Sequence, residues 1–299
     1  MKLQIVKYTG SRKEKESNSA NQALEPAATY EHGTEQTSAL GLYTKAQVMG
    51  TTASAENNQF QNNLKILGFY SASVATDGNL GSAESMRAIK KFQRVYGLQI
   101  NGGSNAETRA KLNEVVAFYN NTLNDSELST VAQRKKGHSD YSESTVKADV
   151  ARAWTFLRMG MGLTVKQASG VMGNIIEESG ASPTNANDGA MGTNNLRDTT
   201  YVYSATDGIA YGIIQWANSS RKQGLLDMAN TMGSSVSDYN VQFAHFRSEM
   251  ESSYKTAWKK ITDKDDIKNA AEVFCKEIEG TKWNSIRKDH ADVVYNALA

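Results

Sequence analysis

The chain is short of the features that would place it in several large functional classes. It has one cysteine, Cys275, in 299 residues, which excludes an intrachain disulfide framework. Its 33 basic residues are balanced by 32 acidic ones, so no bulk electrostatic attraction to nucleic acid is expected. No apolar run approaches the ~20 residues that a membrane-spanning helix needs. Met1 to Val6 leads into Lys- and Arg-containing residues without the apolar stretch of a secretory signal. His32, His138, His245 and His290 form neither a His-Glu-x-x-His motif nor a cluster with cysteine, so no metal or other cofactor is expected. With no spaced histidine partner, Cys275 is expected to be a small buried thiol within the apolar helical stripe Ala270, Ala271, Phe274 and Ile278.

What is present divides the chain into four stretches. Residues 1–56 are rich in Ser, Asn, Thr, Ala, Gln and Glu and are expected to be a flexible N-terminal segment, with Leu3-Gln4-Ile5-Val6 as a candidate short strand. Residues 57–120 carry three apolar stripes at helical spacing. The first is Phe60, Leu64 and Leu67, ended by Gly68, and the second is Met86, Ile89, Phe92 and Tyr96, ended by Gly97. Ala110, Leu112, Val115, Val116 and Tyr119 form the third, and Asp77-Gly78-Asn79-Leu80-Gly81 marks a turn between the first two. Residues 121–145 are expected to be a linker, and 146–299 a second domain that opens with Val146, Val150, Trp154 and Leu157. The fold class expected is α+β, predominantly helical.

Within the second domain, Thr164 with Gln167 makes a capping-box pattern and Gly180 a C-terminal stop. Val165, Ala168, Val171, Met172, Ile175 and Ile176 give the helix between them one apolar stripe. At about 100° per residue, Glu178 falls roughly 80° from the centre of that stripe and Glu177 roughly 180° away, facing solvent. Glu178 is therefore a carboxyl at the border of a core and at the negative end of a helix. Both conditions disfavour the anion and would help it keep a proton beyond the ordinary pKa of ~4.3, as a general acid must.

From Gly180 to Gln215 the chain is rich in Asn, Gly, Thr and Ser, with the alternation Tyr201-Val202-Tyr203. Loops and a short hairpin are expected, forming the far wall of a cleft. Asp188, Asp198 and Asp207 lie there. Asp188 and Asp207 are the candidates for a second catalytic carboxylate, although Asp207-Gly208 also reads as a turn. In Tyr211-Gly212-Ile213-Ile214-Gln215-Trp216, the aromatic rings of Tyr211 and Trp216 suit stacking on sugar faces, and Gln215 suits hydrogen bonding to hydroxyls. Gly208 and Gly212 would let the backbone approach a saccharide. Arg221 is expected to hold the fold or pair with a carboxylate.

These pieces resemble the phage tail lysozyme family of the lysozyme-like superfamily. The resemblance rests on Trp154 and Leu157, on Ala168, Gly170, Met172, Gly173 and Asn174 leading to Glu178-Ser179, and on Ala210 to Trp216 with Arg221. Phe274, Glu279, Arg287 and Tyr295 extend it toward the C-terminus. Residues 57–120 resemble a short three-helix peptidoglycan-binding domain through Gln61, Leu64, Gly68, Asp77-Gly78, Leu80-Gly81, Ala88-Ile89, Phe92-Gln93, Gly97-Leu98, Gly103 and Thr108. Phe92 is expected in its core, and Asp77 and Asn79 on its wall-binding loop.

The resemblances imply an endolysin-type muramidase. It would cleave the β-1,4 bond between N-acetylmuramic acid and N-acetylglucosamine, with Glu178 as general acid. The N-terminal module would tether it to bacterial peptidoglycan. Two alternatives stand beside it. A lytic transglycosylase would use the muramic acid's own hydroxyl in place of water, and a tail or wall-binding component would keep the scaffold without catalysis. Without a signal peptide the expected location is the host cytoplasm before holin-dependent release to the cell wall, or the virion.

Overall fold

The apolar spacing is realised almost everywhere as helix, in a computed structural model that describes residues 54–71, 73–187 and 191–299. The expected strand at Leu3–Val6 and most of the expected N-terminal tail lie outside these residues. Three helices open the described chain: α1 (Ala55–Ile66), α2 (Ala83–Val95) and α3 (Ala106–Leu123). Each begins on a residue whose side chain accepts a hydrogen bond from a backbone N–H of the first turn, namely Ser54, Ser82 and Asn105. Two buried glutamines organise the loops between them. Gln61 accepts from the Gly78 N–H at 2.7 Å and donates to Asp77 at 3.0 Å, while Gln93 accepts from the Gly102 N–H at 2.9 Å and donates to the Gly103 carbonyl at 3.0 Å.

The stretch 121–145, expected as a linker, is folded. It holds the end of α3, a short helix α4 (Leu128–Ala132) and a 3-10 turn at Gln133–Lys135. Leu128, Val131 and Ala132 are buried in a core continuous from Phe60 to Val294. The Asp140 carboxylate then accepts from the Leu196 and Arg197 N–H groups at 2.7 and 2.8 Å, fastening the segment to the loops beyond.

The remaining helices are α5 (Glu143–Thr155), α6 (Val165–Ser179), α7 (Ser219–Met232), α8 (Tyr239–Glu251), α9 (Lys255–Thr262), α10 (Ile267–Val273) and α11 (Ser285–Leu298). Single π-turns continue α5 through Phe156–Gly160 and α10 through Phe274–Ile278. Among the described residues there is no strand, so the α+β expectation is replaced by a mainly helical architecture. Backbone pairing outside helices is limited to isolated bridges, Ala186 with Tyr211 and Tyr211 with Trp216. The hairpin expected at Tyr201–Tyr203 is irregular chain. Its alternation arises because Tyr201 and Tyr203 pack inward on Tyr211, with ring centroids 5.3 and 5.1 Å away, while Val202 is 85% exposed.

The N-terminal helices dock directly on the second domain. The C-terminal carbonyls of α1 and α2 lack partners within their helices and are met by side chains from α5 and α8. Asn240 donates to Leu67 O at 3.3 Å, Arg152 to Ile66 O at 3.4 Å, and Arg247 to Val95 O at 3.0 Å. Cations at helix C-termini are also favoured by the helix dipole.

Helix α6 is the centre of the second domain, packed between α10 and α11, and its glycines explain how closely. A Cβ on Gly170 would lie 2.5 Å from the Ile267 carbonyl oxygen, and one on Gly173 would lie 2.3 Å from the Arg287 carbonyl oxygen. Asn174, one residue on, donates to Ala271 O at 3.0 Å and accepts from Arg287 Nη1 at 3.1 Å. The Gly-x-x-Gly-Asn run is thus a close-packing seam that carries Arg287 to the end of α6. Gly173→Ala is expected to cost about 2–3 kcal/mol through overpacking against backbone, lowering Tm by about 5–10 °C in thermal unfolding. An unchanged Tm would show that the seam is looser than described.

Candidate active site

The end of α6 is built as its residues require. Thr164 and Gln167 form the reciprocal capping box, and Gly180 terminates the helix in the left-handed region at φ 62°. Ser179 turns inward and donates to Ile213 O at 2.8 Å, tying the helix end to the Tyr211–Trp216 turn. Glu178 is then left half-buried, its side chain 21% exposed, on the wall of a cleft of about 520 Å³.

Glu178 is not an isolated carboxyl at the border of a core. Arg287 from α11 reaches it with Nη2, while Nη1 of the same guanidinium donates to Glu279 Oε2 at 2.7 Å. Glu279 follows the π-turn at Phe274–Ile278, precedes Gly280, lines the same cleft, and is only 4% exposed. Burial pushes its carboxyl well above the usual glutamate range, and the charge of Glu178 pushes the same way against Arg287 and Arg221. Its Oε1 is buried without a hydrogen-bond partner. Protonation of Glu279, the direction in which burial pushes it, satisfies that oxygen. Spacing placed the proton-holding carboxyl at Glu178, on the border of the core; the carboxyl that burial pushes up is Glu279, beside Glu178 on the same cleft.

Glu177 does not face open solvent. It packs against α11, where its Oε2 lies 3.0 Å from His290 Nε2. Arg134 Nε donates to His290 Nδ1 at 2.8 Å, which leaves the Nε2 hydrogen for Glu177. That hydrogen bond, helped by Lys135, holds the Glu177 carboxyl below its usual range. The two adjacent glutamates point to different partners on α11, and only Glu178 reaches the cleft.

Of the aromatic and amide candidates, Gln215 lines the cleft. Its backbone is at φ 54°, and its Nε2 donates to Asn185 O at 3.1 Å and Gly212 O at 2.9 Å. Trp216 and Tyr211 do not face it. Trp216 is fully buried with Nε1 donating to Glu249 at 2.8 Å, and Tyr211 is buried among Tyr201 and Tyr203, so neither ring is open to a sugar. Nor does Gly212 admit a saccharide. A Cβ there would lie 2.8 Å from Gln242 Oε1, which accepts from the Ile213 N–H at 3.0 Å. Gly208 has open space around its position and serves a turn at φ 72°.

Asp207 takes the turn role. Lys222, wholly buried, pairs with it, Tyr201 donates to it at 2.7 Å and the Ile209 N–H at 3.0 Å. Burial raises its carboxyl, but these hydrogen bonds outweigh burial and hold it low. It is not on the Glu178 cleft wall. Asp198 is likewise structural, accepting from the Ala186 N–H and Thr193 at 3.0 Å each. Asp188 lies outside the described residues. Arg221 clamps Glu249 through two nitrogens at 2.7 and 2.8 Å and donates to Ile278 O at 2.9 Å, next to Glu279.

In the N-terminal module Asp77 and Asn79 are exposed on their loop, whereas Phe92 is buried against Phe69 and Tyr96. The hydrogen bond from Gln61, then that from the Asn79 N–H, lowers the Asp77 carboxyl. Cys275 is buried, which pushes its thiol up. Among the described residues no helix is long and apolar enough to cross a membrane.

The resemblance placed Glu279 and Arg287 in the family pattern but gave neither a role. A signal for Glu279 was present: like Glu178 it closes an apolar stripe just before a glycine. Because Glu279 takes up its proton on folding, stability falls as pH rises above about 4.5 and the unfolded chain releases that proton. Glu279→Gln, with no proton to release, is expected to show a shallower fall in Tm between about pH 5 and 8. Identical slopes in the two proteins would remove the proton from Glu279.

Comparison with known proteins agrees with the layout. A family model for phage tail lysozyme matches residues 148–298, and one for a peptidoglycan binding domain matches residues 55–112. No curated protein and no solved structure matches the chain. A central helix that ends in a carboxyl on a polar cleft, preceded by a peptidoglycan-binding domain, is therefore the build of a chain that belongs to the phage tail lysozyme family, a lysozyme-like protein that acts on peptidoglycan.

Proposed function

We propose that the protein is an endolysin-type muramidase that cleaves the β-1,4 bond between N-acetylmuramic acid and N-acetylglucosamine, with Glu178 as the general acid. The observation that carries this is the pair Glu178 and Glu279 on one cleft wall, bridged from behind by the buried Arg287. Two carboxyls and one guanidinium carry a net negative charge unless one proton is retained, and burial of Glu279 favours retaining it. Glu279 lines the cleft but is only 4% exposed. Glu178 is the more exposed member at 21%, so the retained proton passes to the glycosidic oxygen through it. When it leaves, the Glu279 anion stays paired with Arg287 Nη1 while Nη2 holds Glu178. Positive charge then developing on the sugar ring faces two carboxylates. Gln215 and the polar wall of the cleft orient the sugar hydroxyls.

One observation favours the second reading, a lytic transglycosylase. Glu277, a further carboxylate on the cleft wall, is paired with Lys260 at 2.8 Å, and Asp207 is committed to Lys222. Asp188, outside the described residues, is the other candidate for activating water. Mass spectrometry of products separates the readings: reducing ends for hydrolysis, anhydro ends for transglycosylation.

The N-terminal module would present the exposed Asp77–Asn79 loop to the wall. A protein of this kind would reach peptidoglycan by holin-dependent release from the host cytoplasm or as part of a virion.

Glu178→Gln is expected to lower turnover of purified wall by at least about a hundredfold, the usual scale of a general acid, with wall binding and fold retained. Glu177→Gln, whose partner is His290, is expected to keep most activity and lose some stability. Equal losses of turnover in the two variants would overturn the assignment of Glu178.

A further inference from the structure

We propose that the cleft at Glu178 continues as a trough across the molecule onto the N-terminal module, and that a single peptidoglycan glycan strand occupies its whole length. The proposal rests on the glycan-directed reading of the cleft and extends it to a distal binding site on the other domain.

Three cavities adjoin in sequence. The first, holding Glu178 and Glu279, shares Ser220, Arg221 and Tyr254 with a second cavity of about 500 Å³. The second shares Arg94, Met228 and Ser248 with a third of about 330 Å³. Arg94 lies in α2 of the N-terminal module, and the third cavity ends on that module at Gly97, Leu98 and Ile100. Each volume falls in the range that holds a small ligand, and a sugar residue is smaller than most.

The trough has a fixed path because the module is fixed. Arg247, on the wall of the third cavity, donates to Val95 O at 3.0 Å, one residue from Arg94. Gly97 is at φ 69°, and a Cβ there would lie 3.0 Å from the Arg247 guanidinium, so the contact is close as well as polar. The distance from Glu178 to the far end is therefore set by packed helices rather than by a linker.

The wall chemistry matches an amino-sugar polymer. Ser220, Ser248 and Ser252 expose hydroxyls along the middle, suited to sugar hydroxyls and acetamido groups. Arg94 offers a cation to the lactyl and stem-peptide carboxylates that such a strand carries. Ile100 is 43% exposed, one of few large apolar side chains so exposed among the described residues, and gives the far end an apolar platform for a ring face. A strand that fills all three cavities gains contacts that a short fragment confined to the cleft does not.

The test compares Ser248→Trp, which fills the junction of the second and third cavities, and Arg94→Ala, which removes the cation. Both are checked for unchanged Tm and measured on long glycan strands and on a muropeptide tetrasaccharide. The expected result is a KM for long strands raised about tenfold in Ser248→Trp, about 1.4 kcal/mol, with kcat and the tetrasaccharide KM unchanged. Arg94→Ala should shift the same way by a smaller factor. A ratio of long-strand to tetrasaccharide KM equal to that of the parent in both variants would overturn the trough while leaving the glycosidase reading intact. In parallel, Kd for long strands is measured on Glu178→Gln with and without Ser248→Trp. A tenfold weakening there supports the trough even if the parent enzyme shows no turnover, and an unchanged Kd counts against it.

Discussion

The buried guanidinium of Arg287 is the constraint on which the site depends. Taking a cation out of water costs several kcal/mol unless partners of opposite charge surround it. Here those partners are Glu178, Glu279 and the Asn174 amide oxygen, drawn from α6 and from the segment after α10. Two carboxyls around one cation overshoot neutrality, and a low-dielectric interior resists the excess. Retention of a proton is the least costly relief. The raised carboxyl of Glu279 thus follows from burial and charge counting at a helix junction.

That junction exists because α6 can approach its neighbours closely. Gly170 and Gly173 remove the side chains that would keep α10 and α11 at ordinary spacing, and Asn174 links both partners by hydrogen bonds. A second clamp supports the opposite wall. Glu249 takes both Arg221 and the Trp216 indole, and Gln242 holds the backbone at Ile213. The turn that carries Gln215 is therefore fastened from beneath, and its large aromatic residue acts as ballast in the core.

Local signals in the chain were legible as far as local physics reaches. The capping box at Thr164–Gln167, the glycine stop at Gly180 and the stripes of α1 to α3 depend on neighbours within a few residues, and spacing finds them. Helix phase also separates Glu178 from Glu177, and of the two it is Glu178 that lines the cleft. What mostly escaped was the identity of partners far along the chain. Trp216 and Tyr211 look like sugar platforms until Glu249, Tyr201 and Tyr203 are seen to enclose them. Asp207 looks like a candidate base until Lys222 arrives from α7. The polar stretch 121–145 looks like a linker because a buried turn with few apolar residues has almost no period to detect, and only Leu128, Val131 and Ala132 mark it.

Docking of the wall-binding module changes how its contribution to binding must be reckoned. A module on a flexible linker raises local concentration without fixing direction, and its benefit falls as the linker lengthens. Here side chains of α5 and α8 cap α1 and α2, and the core is continuous across the contact. The ordering entropy is met on folding, before any wall is encountered. Such an arrangement gives up reach and gains alignment. The module's surface is held at a fixed distance and direction from the cleft at Glu178.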